Sequence, residues 1–102
     1  MKSYKVNIIN YEFRTKQGKE WSSDDIIAEF MKESSYEKYN AATFINYNDA
    51  KAYIEENLRA PYESAVTVGY VITGEIYELE EVGEDGESLM GQLFAKGNKH
   101  ED

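Results

Sequence analysis

Residues 74–87 read GEIYELEEVGEDGE, and seven of these fourteen positions are acidic: Glu75, Glu78, Glu80, Glu81, Glu84, Asp85 and Glu87. Carboxylates at this density have three chemical uses: they hold a hard cation, work in pairs as general acid and base, or meet the cations of a partner. The first use needs a coordination pattern. An EF-hand loop puts oxygen ligands at alternate positions, a glycine at the sixth and a glutamate at the twelfth. This stretch lacks that spacing, so no metal is expected. The second use needs a pocket that perturbs the acids. With 20 Asp and Glu in the chain, pairs arise by number alone and say nothing about an active site. The third use remains, and these seven residues are the candidate partner-binding surface.

What the chain lacks removes most other chemistry. It has no cysteine, hence no thiol nucleophile, disulfide framework or thiolate metal site. Its single histidine is His100, in a segment expected to be a frayed tail, where nothing would hold it for a Ser–His relay or for zinc. The glycines at 69, 74, 83, 86, 91 and 97 match neither the Walker nor the dinucleotide pattern. No catalytic residue and no cofactor is assigned, and the protein is expected not to be an enzyme.

Charge is unevenly placed. The whole chain carries −9. Residues 1–19 hold Lys2, Lys5, Arg14, Lys16 and Lys19 against Glu12 alone, a local +4. Residues 20–102 carry −13, and no basic residue lies between Arg59 and Lys96. Such a field repels nucleic acid and anionic membrane and speeds encounter with basic partners. The basic amino-terminal stretch interleaves its cations with Tyr4, Tyr11 and Phe13, a pairing that single-stranded nucleic acid favours. The acids of a domain this small lie within about two Debye lengths of that patch. The lysines are therefore expected to pair with the acidic hairpin, across a sheet or in a dimer, and no direct nucleic-acid binding is expected.

The elements that position these residues follow from periodicity. At 102 residues with 41% hydrophobic content, the chain is read as one domain with one core. Tyr4–Phe13 is a strand whose alternation breaks at Ile8-Ile9. That break requires a bulge or cover on both faces. Ser22 caps a helix, Asp25 completes a capping box, and Trp21 with Ile26 forms a hydrophobic staple. The helix runs to about Ser34. The segment Ser34–Asn40 stays open between a helix extension and a loop bearing Tyr36 and Tyr39.

Ala42–Tyr47 reads as a short strand. Asn48 or Asp49 caps a second helix with the stripe Ala50, Tyr53, Ile54, Asn57 and Leu58, which Pro61 stops. Glu63–Ile72 and Ile76–Val82 form a hairpin about a two-residue Thr73-Gly74 turn or, since threonine suits a positive φ poorly, about a longer loop; the two-residue turn sets the pairing taken here. In that register Gly69 faces Glu78 and Thr67 faces Glu80, and both glutamates point to solvent. Ser88 caps a last helix whose apolar face is Leu89, Met90, Leu93 and Phe94, with Gly97 after its end.

The expected fold is α+β, in the order β-α-β-α-β-β-α. It has one mainly antiparallel sheet of about four strands, two main helices on one face and a short carboxy-terminal helix. Residues 1–97 make the domain and 98–102 a frayed tail. No stretch is long and apolar enough to span a bilayer. The amino terminus reads as a strand rather than a signal peptide, and with the absence of cysteine this fits a reducing cytoplasm.

In composition the chain resembles the small, acidic, cysteine-free proteins that block restriction or CRISPR nucleases, which phages and mobile elements carry. No motif places it among them. The reading is a non-enzymatic acidic interaction module for a basic protein partner. Its sharp form is a nucleic-acid mimic that inhibits a DNA- or RNA-binding defence nuclease. Two alternatives stand beside it. One is a structural, self-associating domain in which the basic amino-terminal region of one copy meets the acidic hairpin of another, giving a homodimer. The other is a small-ligand binder or enzyme using Glu and Tyr.

Overall fold

The computed structural model describes residues 2–32, 36–59, 65–98 and, by backbone alone, 100 and 101. Its elements are β1 (Ser3–Arg14), α1 (Ser23–Met31), β2 (Lys38–Phe44), α2 (Tyr47–Leu58), β3 (Ala65–Val68), β4 (Val71–Val82), β5 (Ser88–Ala95) and β6 (His100–Glu101). They form one α+β domain around an antiparallel sheet of five strands, with β6 paired parallel to β3.

Two long strands organise the sheet. β1 pairs antiparallel with β4 along its whole length, from Ser3 against Val82 to Arg14 against Val71. β2 takes the other edge of the amino-terminal half of β1, also antiparallel. The far edge of β4 is divided: β3 pairs with Val71–Gly74 and β5 with Ile76–Val82. The described strand order is β2-β1-β4-β3-β6, with β5 beside β3 on β4.

Of the two causes anticipated for the break at Ile8-Ile9, the structure shows cover on both faces. Val6 and Ile8 sit in one core with Ala50 and Ile54 of α2 and Tyr77 and Leu79 of β4. Ile9, Tyr11 and Phe13 sit in another with Trp21, Ile26, Ile72, Ile76 and Ala95. Successive strand residues face opposite sides, so α1 and α2 lie on opposite faces and at opposite ends of β1. The expectation of helices on one face is therefore corrected. A bulge in β2 accompanies this, because Ala41 has no partner between the Val6–Ala42 and Asn7–Asn40 pairs. Each helix buries isoleucines completely, Ile26 in α1 and Ile54 in α2. Each such burial is worth roughly 1.5–3 kcal/mol.

The helix signals hold at α1. Ser22 is the N-cap, with Asp25 N–H donating to Ser22 Oγ at 3.1 Å and Ser22 N–H to Asp25 Oδ2 at 3.0 Å. The helix ends at Met31, and the expected limit near Ser34 lies outside the described residues. α2 starts earlier than expected. Asn46, not Asn48 or Asp49, is the cap, and its side chain accepts from the N–H of Asn48 at 2.7 Å and Asp49 at 3.3 Å. That earlier start ends β2 at Phe44. Ala50 and Ile54 are buried and Tyr53 and Leu58 pack against their core, as the stripe requires. The Pro61 stop lies outside the described residues.

Two expectations for the acidic half are corrected. The hairpin turns at Gly69-Tyr70, not at Thr73-Gly74. Gly69 takes φ +60 there, the left-handed region open to glycine. Tyr70 C=O then accepts from Thr15 N–H at 2.8 Å, tying the turn to the end of β1. Gly74 instead stands mid-strand between Tyr11 and Ala65.

The expected last helix is a strand, β5. β3 pairs with only Val71–Gly74 of β4, which leaves the backbone of Ile76–Val82 in need of a ladder. Buried backbone groups must be paired, and a helix over that edge offers no such partner. After β5, Asn98 and Trp21 exchange backbone hydrogen bonds of 2.8 and 3.3 Å. His100 and Glu101 lie along Thr67 and Val68, where the sequence pointed to a tail.

Candidate functional site

The pleat of β4 sorts the seven acids into three groups. Glu75 and Glu81 share the face of Tyr77 and Leu79, which α2 covers farther along. Glu78 and Glu80 share the face of Ile72 and Ile76, which α1 covers at the other end. Glu84, Asp85 and Glu87 lie on the loop to β5. The run in sequence is thus not one strip in space.

Glu78 and Glu80 do not point free into solvent, which corrects the register argued from the sequence. Glu78 lies between Asn7 of β1 and Leu93 of β5, and Glu80 between Lys5 and Gly91. Both belong to a polar network centred on Asn7, which is only 4% exposed. Its amide nitrogen donates to Glu78 Oε1 at 2.9 Å and to Glu80 Oε1 at 3.1 Å. Lys38, at the start of β2, donates to the same Glu78 oxygen at 2.9 Å. Asn40 donates to Val6 C=O at 3.2 Å and to Ala42 C=O at 2.9 Å. It thereby closes the bulge beside Asn7.

The protonation of these groups follows the geometry. Glu80 is held below its ordinary carboxylate value, first by a hydrogen bond from the Ser88 side chain and then by Asn7, with Lys38 and Lys5 adding attraction. Lys38 is pushed up, mainly by its hydrogen bond to Glu78. The network spans β2, β1, β4 and β5, and each member sits where strand register alone brings it.

The remaining acids have simpler surroundings. Glu75 accepts from the Tyr77 hydroxyl at 2.9 Å. Burial first, then Glu75, drives that phenol's pKa upward. Glu81 meets Lys2 at 3.7 Å. The loop is shaped by Gly83 N–H donating to Glu87 C=O at 2.9 Å and Gly86 N–H to Gly83 C=O at 3.0 Å. Glu84, Asp85 and Glu87 are exposed there. Among the described residues no cation forms an ion pair with Asp85 or Glu87.

The basic amino-terminal stretch divides along β1. Lys2 and Lys5 stand against Glu81 and Glu80 across the β1–β4 pair, the intramolecular pairing the charge pattern anticipated. Arg14, Lys16 and Lys19 are at the other end, around a shallow cleft with Glu29, and Lys19 Nζ sits 4.2 Å from the Trp21 ring centre.

A cleft of about 700 Å³ lies beside the Trp21–Asn98 bridge and is lined by Trp21, Asp25, Thr67, Lys96 and Asn98 among others. The pKa of the Asp25 carboxyl is lowered, first by its hydrogen bond from the Ser22 backbone, a helix-cap cause. None of the seven hairpin acids lines this cleft or the one around Arg14, Lys16 and Lys19. Among the described residues no group of three or more His, Asp or Glu could hold a metal ion. No described helix is long and apolar enough to cross a membrane.

Asn7, Lys38 and Asn40 escaped the sequence reading. The signal was slight: Asn7 follows Ser3 and Lys5 and precedes core residues Ile9, Tyr11 and Phe13 at the same parity, so it stands where the row passes from polar to apolar. Comparison with protein-family models, curated proteins and solved structures finds no match for this chain.

Proposed function

We propose that the protein is a non-enzymatic acidic interaction module that sets the β4–β5 hairpin end of its sheet on a basic partner protein. The observation supporting this is where the cations go. Lys2, Lys5 and Lys38 are drawn to Glu81, Glu80 and Glu78 within the chain. Asp85 and Glu87, at the hairpin tip, carry no such partner among the described residues. The tip therefore keeps an unneutralised field to offer.

Magnitude decides how far nucleic-acid mimicry extends. The molecule is 48 Å long. A duplex of that length carries about 28 phosphate charges and a single strand about 14, against a net −9 here. Local docking fits this density better than imitation of a whole duplex. The sharper form of the reading, an inhibitor of a restriction or CRISPR nuclease, is accordingly confined to the few phosphate positions the tip can occupy.

Affinity capture tests the reading with three baits of matched melting temperature: wild type, a tip variant (E84Q, D85N, E87Q) and a strand variant (E75Q, E81Q). Capture of a basic nucleic-acid-binding protein by the wild type and the strand variant, and not by the tip variant, supports it. Identical capture by all three overturns it.

A further inference from the structure

The outer edge of β5 has no strand partner among the described residues. Ser88–Gln92 are exposed in unbroken succession. Every second residue of such an edge turns an unpaired N–H and C=O outward. Natural edges are usually blunted by charges, proline or a bulge. β5, SLMGQLFA, contains no charged residue and no proline. Its one irregularity lies at its start, opposite Glu81-Val82, and from Met90 to Ala95 its register with β4 is unbroken.

The edge of β6 is only two residues long, and the edge of β2 is different. It begins at Lys38 and is bulged at Ala41 in the middle of its pairing with β1. A mid-strand bulge twists an edge away from further pairing.

We propose that the β5 edge takes an extended lysine- or arginine-rich segment of a partner as an added strand. This rests on the interaction-module reading and deepens it by naming the partner's form. Charge selects the occupant. Glu84, Asp85 and Glu87 stand at one end of the edge. Behind it, Gly91 has no side chain to screen the carboxylates of β4, and Glu78 Oε2 is 3.8 Å from where a Gly91 Cβ would be. An added strand lies two strand spacings from β4, about 9.5 Å, a span that a lysine or arginine over Gly91 reaches across. Leu89 and Met90, 47% and 61% exposed, offer apolar contact for residues between the cations. A second copy of this chain is the wrong occupant, because two bodies of net −9 repel.

The test uses the full chain and two labelled ten-residue peptides, a Lys-Val repeat and the proline peptide PKKPPKKPPK, with five lysines each. Both are extended and equally charged, and prolines at both strand parities of the second remove donors from either of its edges. Fluorescence anisotropy should show the Lys-Val peptide binding at least about tenfold tighter. Hydrogen exchange should show slowed amides within 88–93. The double variant L89K/M90K, checked for unchanged melting, should lose that advantage. Equal affinity of the two peptides overturns strand addition while leaving a charge-driven module standing. Protection on β2 alone, or dimerisation of the free chain through β5, overturns it too. Failure of both peptides to bind removes both readings.

Discussion

The side-chain amide of Asn7 is shared between Glu78 and Glu80, 2.9 Å from one carboxylate and 3.1 Å from the other. One buried amide nitrogen thus holds together two like charges on alternate residues of the neighbouring strand. Hydrogen bonds to charged groups are worth about 1.5–3 kcal/mol, and Asn7→Ala is expected to cost about that much in urea unfolding at pH 7. Asn7→Asp should cost more, since it sets a third carboxylate between two. The excess should shrink at pH 4, where the carboxylates begin to take up protons.

Glu80 carries the pH dependence of this network. Its folded pKa is depressed below the ordinary 4.5, first through Ser88 and then through Asn7. The unfolded chain therefore binds this proton more readily than the folded one. Its contribution is present above pH 4.5 and is lost as pH falls through the folded value. Glu80→Gln should lower the melting temperature at pH 7 and flatten its decline between about pH 5 and pH 3. Parallel wild-type and variant curves across that window would remove Glu80 from the acid response.

The cap of α1 can be tested apart from the acidic hairpin. Ser22→Ala removes the acceptor for the Asp25 N–H and should cost about 1 kcal/mol. In a domain of this length that lowers the melting temperature by roughly 4–8 °C, read by circular dichroism.

Two glycines separate conformational from steric cost. Gly69 has φ +60 and open space where a Cβ would stand, so Gly69→Ala costs only backbone strain, about 1–2 kcal/mol. Gly69→Asn should recover part of it, because asparagine enters that region more easily. At Gly97 a Cβ would lie 2.8 Å from Trp21 C=O and 3.1 Å from Ser22 Cα. Gly97→Ala should cost about 1–3 kcal/mol through crowding and weaken the near-ultraviolet dichroism of Trp21.

What the sequence disclosed was local. The capping box at Ser22 and the α2 stripe depend on residues within a turn or two of one another, and each is present. What it concealed was non-local. Leu89, Met90, Leu93 and Phe94 have helical spacing, and nothing within the segment tells that β4 lacks a ladder partner from Ile76 onward. The choice between turns at Gly69 and at Gly74 is likewise made elsewhere, by the match of β4 to β1. The same holds for the acids. Their exposure could be read from alternation only if the sheet had one wet face. With α1 and α2 on opposite faces at opposite ends, neither parity is wholly dry or wet. Glu78 and Glu80 fall on the face whose far end is core, and the partners that tame them, Asn7 and Lys38, are more than thirty residues away in sequence.

The pairing of β1 with β4 also sets a clock. Even the nearest partners, Arg14 and Val71, are separated by most of the chain. At about 5–20 residues per second on a ribosome, the first strand waits several seconds for its mate. During that interval its isoleucines and aromatics have only β2 to pair with, and β2 reaches no farther than Ile9. The sheet closes late and as a whole. A nascent chain arrested before residue 71 should therefore remain sensitive to protease throughout, whereas one carrying β5 beyond the exit tunnel should become resistant in a single step.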